Sequence, residues 1–152
     1  MATSLDQLAY DLSLRALNQQ ENLLNELRAR TGMLLAATAV AASLIGGRIL
    51  DGDSSIIDVL AMAPALVTLL LSVYVLAPKG HLTFAIDAPA AYEYFMANRI
   101  ELPEAERDLA YWNREVWEEN QIVIDGMIRL FRWACYALVG AVLAWSLVLG
   151  LQ

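Results

Sequence analysis

The chain has 152 residues, 59% of them hydrophobic, a formal net charge of −7 and a single cysteine. The apolar share exceeds that of ordinary soluble domains and points to the membrane class. The negative charge argues against non-specific nucleic-acid binding, and one cysteine, Cys135, excludes a disulfide framework or a cysteine metal cluster.

Residues 1–30 are polar and charged, which predicts a cytoplasmic N-terminal helix and no cleaved signal segment. Ser4 and Gln7 fit a capping box, and Asp6 lies in the first turn. Leu5, Leu8, Leu12 and Ala16 form one apolar stripe; Tyr10, Leu14, Leu17 and Leu24 form a second. Two stripes predict neighbours on two sides.

Residues 31–50 are expected to form a first transmembrane helix. Its uncharged part, GMLLAATAVAASLIGG, is short, and Arg48 can snorkel to the headgroups. Gly32, Ala36, Ala39, Ser43 and Gly47 recur at helical spacing, a candidate close-packing or pore-lining row. The DGDSS turn at 51–55 leads to a second expected span, 56–77, with Asp58 near its start and Pro64 inside it. Thr68 and Ser72 are its polar residues, candidates for lining a pore or for hydrogen bonds between helices.

Residues 78–132 return to polar composition and read as a cytoplasmic helical segment. Asp87 before Ala88-Pro89 starts a short helix, 88–98, carrying Tyr92, Tyr94, Phe95 and Met96. Pro103 opens a helix with no later proline to break it. It reads as cytoplasmic over 103–132 and as a third span over 133–151, roughly 70 Å in all. Leu109, Trp112, Val116, Val123, Gly126 and Leu130 fit a heptad seam interrupted by Glu119; Leu109, Trp112, Val116 and Val123 are the candidate oligomer contacts.

The expected fold is therefore all-α, an integral membrane protein with three transmembrane helices and a cytoplasmic bundle. Nine of the ten basic residues precede the first span or lie between the second and third, which sets the N-terminus inside and the C-terminus outside the inner membrane.

The chain carries no Gly-rich phosphate loop, no HExxH and no cysteine pair, so no catalytic residue and no metal site are expected. His81, the only histidine, reads as structural or exposed. Arg99, Arg107, Tyr111, Trp112 and Arg114 form a basic-aromatic set. Such a set suits a nucleotide phosphate and a stacked base; it equally suits packing for the rings and surface pairing for the arginines.

The order of parts is a cytoplasmic helix entering LRARTGMLLAATAVAASLIGG, a short turn, a second apolar stretch, HLTFAIDAPAAYEYF, then ENQIVIDGMIRLFRWACYALVGAVLAW. This layout resembles the small membrane effectors of bacterial anti-phage defence, of the Pycsar and SLATT types. The resemblance implies a signalling nucleotide as ligand and permeabilisation of the inner membrane. It also implies a homo-oligomer, with a tetramer compatible, since three spans do not enclose a pore alone. The chain departs from some of these relatives in lacking a separate cyclic-nucleotide-binding domain. The rival reading is a non-enzymatic membrane anchor or scaffold for a cytoplasmic partner.

Overall fold

The computed structural model describes the backbone of residues 4–50, 56–80 and 82–150, and side chains over 4–43, 60–80 and 82–148. Four helices account for nearly all of it: α1 (Leu5–Leu50), α2 (Ile56–Leu76), α3 (Ala88–Ala97) and α4 (Leu102–Gly150). The 51–55 turn and His81 lie outside the described residues, and the side chains of Arg48 and Asp58 are likewise not described.

Local chemistry sets the helix ends. Ser4 Oγ accepts from Gln7 N at 3.1 Å and so satisfies one of the free N–H groups at the start of α1. Asp87 does the same for α3, accepting from Ala90 N at 3.3 Å, with Pro89 in the first turn. α3 stops in a Schellman motif: Ile100 N donates to Phe95 O and Arg99 N to Met96 O. Arg99 takes the left-handed position, φ 54°, that glycine usually fills. α4 runs unbroken from Leu102 to Gly150.

The buried residues follow a seven-residue repeat. On α4, Asn113, Asn120, Met127, Ala134, Ala141 and Val148 are buried, each seven on from the last. On α1, Leu17, Leu24, Thr31 and Thr38 do the same, with Gln20 and Leu27 between. On α2 the row is Ala61, Thr68 and Val75, with Ala65 and Ser72. This is the 3.5-residue spacing of coiled-coil packing.

The chain divides into two compact units, Met1–Asn25 with Lys79–Asp125, and Glu26–Pro78 with Gly126–Gln152. In the first unit α1 and α4 are tied by polar rungs. Asn113 Nδ2 donates to Ser13 Oγ at 2.8 Å, and Gln20 Nε2 donates to Trp117 O at 2.9 Å and to Gln121 Oε1 at 3.0 Å. Asn120 clamps the segment before α3: its Nδ2 donates to Thr83 O at 2.7 Å and its Oδ1 accepts from Thr83 N at 3.3 Å. Buried amides need such partners, because an unpaired one costs about 1–3 kcal/mol.

In the second unit four hydroxyl side chains are buried among small and apolar residues, and many large apolar side chains are exposed. Thr31, Thr38, Thr68 and Ser72 are fully buried, while Val40, Leu66, Val67, Leu70, Val73, Val139, Leu143 and Leu147 are exposed. Thr31, Thr38 and Thr68 return their hydroxyls to the carbonyl four residues back, and Thr68 Oγ1 also lies 3.3 Å from Ala134 O. Ala61, Trp145 and Val148 pack together with Met62 and Ala144.

Two expectations are corrected here. Three transmembrane helices are not found: among the described residues one helix, Leu102–Val148, is long and apolar enough to cross a membrane. Leu60–Leu76, the part of α2 whose side chains are described, is apolar but shorter. The uncharged part of the first expected span, residues 32–47, is shorter still, about 24 Å. In addition, the Leu5, Leu8 and Leu12 stripe is exposed rather than covered, while Leu17 and Leu24 of the other stripe are buried.

Candidate functional site

The arginines of α4 are placed by helical spacing. Arg107, Tyr111 and Arg114 stand at i, i+4 and i+7, so one face presents all three. With Leu5, Asp6, Ala9 and Ser13 of α1 and Ala110 they line an open cleft of about 530 Å³ in the first unit. The lining joins apolar Leu5, Ala9 and Ala110 to two guanidiniums, a phenol and the Asp6 carboxylate. Tyr111 is 67% exposed, so its ring face is available for stacking.

Both guanidiniums have carboxylate neighbours. Arg114 Nε lies 2.9 Å from Glu118 Oε1; Arg107 lies 3.4 Å from Glu104 and 4.0 Å from Asp108. These pairs are half exposed, and such pairs contribute about 0–1 kcal/mol. A phosphate accepting both N–H groups of a guanidinium competes well with them. Ser13 is already committed: its hydroxyl donates to Tyr10 O at 2.7 Å while accepting from Asn113. A smaller recess of about 280 Å³ lies on the other side of Arg107, bounded by Asp6, Glu101, Pro103 and Glu104. Its lining is richer in carboxylates than that of the larger cleft, with which it shares Asp6 and Arg107.

The five residues expected to act together are thus split. Trp112 lies on a different face, lining a cleft of about 300 Å³ with Ile86, Ala91, Tyr94, Phe95, Asp108 and Leu109. Arg99 caps α3 and lines neither cleft. Of the candidate oligomer contacts, Leu109 and Trp112 line that second cleft, Val123 is half-buried, and Val116 is buried within the chain.

Within the small-residue row, Ala36, Ala39 and Ser43 are exposed and Gly32 is half-buried. A methyl group on Gly32 would meet nothing within 4 Å. Gly47 lies where side-chain surroundings are not described. Thr68 and Ser72 face inward and are fully buried, so in the single chain they line no outer surface.

Sequence reading missed the amides. Gln20, Asn113 and Asn120 are polar and stand out of any apolar pattern, yet Asn113 and Asn120 keep seven-residue spacing with Met127 and Ala134, and Gln20 with Leu27. Comparison with family models, with characterised proteins and with solved structures finds no match to this chain.

Proposed function

We propose that this chain is a non-enzymatic membrane effector: the apolar half of α4 enters a bilayer, and the first unit holds an anionic ligand at Arg107, Tyr111 and Arg114. The exposed apolar surface of the second unit carries the reading. Exposed Leu and Val side chains with Trp133 and Tyr136, beside buried Thr31, Thr38, Thr68 and Ser72, suit a surrounding of lipid, where apolar exposure costs nothing and interior polar contacts hold helices together. α4 supplies the crossing helix, and the basic residues of the first unit favour the cytoplasmic side.

In this mechanism a nucleotide-like anion stacks on Tyr111 and takes the two arginines from their surface carboxylates. It shifts α4 between packing arrangements only as far as it binds one of them more tightly. Self-association then makes the conducting or disruptive state. The anti-phage setting rests on the layout resemblance alone. The test is membrane potential in cells expressing the chain. Ligand-dependent depolarisation that disappears in Arg107→Gln/Arg114→Gln supports the reading; unchanged depolarisation in that variant removes the cleft from it.

One observation favours the anchor reading instead. α3 buries none of its residues and leaves Tyr92, Tyr94 and Met96 outward, as a partner-binding helix does. Constant potential in every condition, with the chain in the membrane, selects that reading.

A further inference from the structure

One exposed face of α4 is unlike the rest of the helix. Arg129, Arg132, Trp133 and Tyr136 stand at i, i+3, i+4 and i+7, all exposed and all within the second unit. Trp133 and Tyr136 meet edge to face, ring centroids 5.9 Å apart and planes at 79°. Both rings are about two-thirds exposed, at 64% and 65%. Neither arginine has an ion-pair partner among the described residues, whereas Arg30, Arg107 and Arg114 each have one. The nearest carboxylate along the helix, Asp125, accepts from Gln121 Nε2 at 2.9 Å. Beyond Arg132 no charged residue follows to the last residue of the sequence.

We infer that this face binds the headgroup of an anionic phospholipid. Two unpaired guanidiniums in a chain of net charge −7 leave a local positive patch where the chain turns uncharged. Guanidinium forks match phosphate oxygens. Trp and Tyr one turn further on are the side chains that settle at the headgroup level, apolar body inward and polar edge outward. An inorganic anion would use the arginines and leave the ring pair idle; a phospholipid uses both, and the uncharged run after Arg132 suits its acyl chains. The inference rests on the proposed membrane placement.

The test uses the full chain reconstituted in phosphatidylcholine vesicles, with spin-labelled phosphatidylglycerol and spin-labelled phosphatidylcholine as probes. Flotation reads the placement, and the motionally restricted fraction of each probe reads the site. The expected result is flotation with preference for phosphatidylglycerol, lowered by about fivefold for each arginine removed in Arg129→Gln and Arg132→Gln. Arg129→Lys/Arg132→Lys keeps part of the preference. Flotation with equal restriction of both probes overturns the site and leaves the placement standing. Failure to float overturns both. Should the glutamine variants not fold, added salt on the wild-type chain decides: a preference for phosphatidylglycerol that salt does not lower overturns the site.

Discussion

Asn113, fully buried on α4, donates to the Ser13 hydroxyl of α1 across 2.8 Å, and the Ser13 hydroxyl in turn donates to Tyr10 O. The other side of the amide, Oδ1, has no hydrogen-bond partner among the described residues. The rung is thus strong in one direction and costly in the other. Ser13→Ala leaves both ends of the amide unmet and is expected to destabilise the first unit by about 1–3 kcal/mol. Asn113→Leu combined with Ser13→Ala removes the polar groups together and is expected to be near neutral. Thermal unfolding of the three proteins checks the order.

Asn120 is the only described side chain that binds Thr83, and it does so with both ends of its amide. Asn120→Ala is expected to release the segment leading into α3. Hydrogen exchange at Thr83 N should rise by tenfold or more, since a lost bond of about 1.4 kcal/mol is a factor of ten. Exchange in α3 itself, held by Asp87 and its Schellman stop, should change less.

Arg99 adopts a backbone conformation that costs a non-glycine residue about 1–2 kcal/mol. Arg99→Gly is expected to raise the unfolding temperature. It should leave ligand response at the Arg107–Tyr111–Arg114 cleft unchanged, because Arg99 does not line it. A loss of response in this variant would return Arg99 to the ligand site.

Gly32 sits inside α1 with open space where a Cβ would stand. Gly32→Ala is therefore expected to stabilise the single chain by about 0.5–1 kcal/mol through helix propensity. If the row Gly32, Ala36, Ala39 and Ser43 packs against another copy, the same change lowers cross-linked oligomer severalfold. Unchanged cross-linking would take the row out of the interface.

The helical character of the chain was legible because caps and breakers act locally. Ser4 and Asp87 cap the helices they precede, and the absence of proline after Pro103 lets α4 continue to Gly150. The phase of the buried row was not legible from apolar residues alone. Apolar spacing suggested Leu109, Trp112, Val116 and Val123, whereas burial runs through Asn113, Val116, Asn120 and Ile124. Two asparagines occupy core positions because each amide has a partner distant in sequence, Ser13 or Thr83, which no local pattern shows. The count of membrane-crossing helices failed for a different reason. Both shorter apolar stretches border charged residues, Arg48 after the first and Asp58 before the second, and among the described residues only α4 is long and apolar enough to cross.

The Asn120 clamp has a consequence for sliding. Asn113 and Asn120 are one repeat apart, so shifting α4 by seven residues, about 10.5 Å, would hand Ser13 an identical amide. The Ser13 rung is by itself ambiguous, like a ruler whose marks carry no numerals, although the same shift would set Ile128 in place of Gln121 opposite Gln20. Thr83 supplies the numeral: its two backbone groups engage one asparagine and not the other. Lengthwise slippage of α4 thus requires breaking a backbone-to-amide pair, while rotation about its own axis by a few degrees does not.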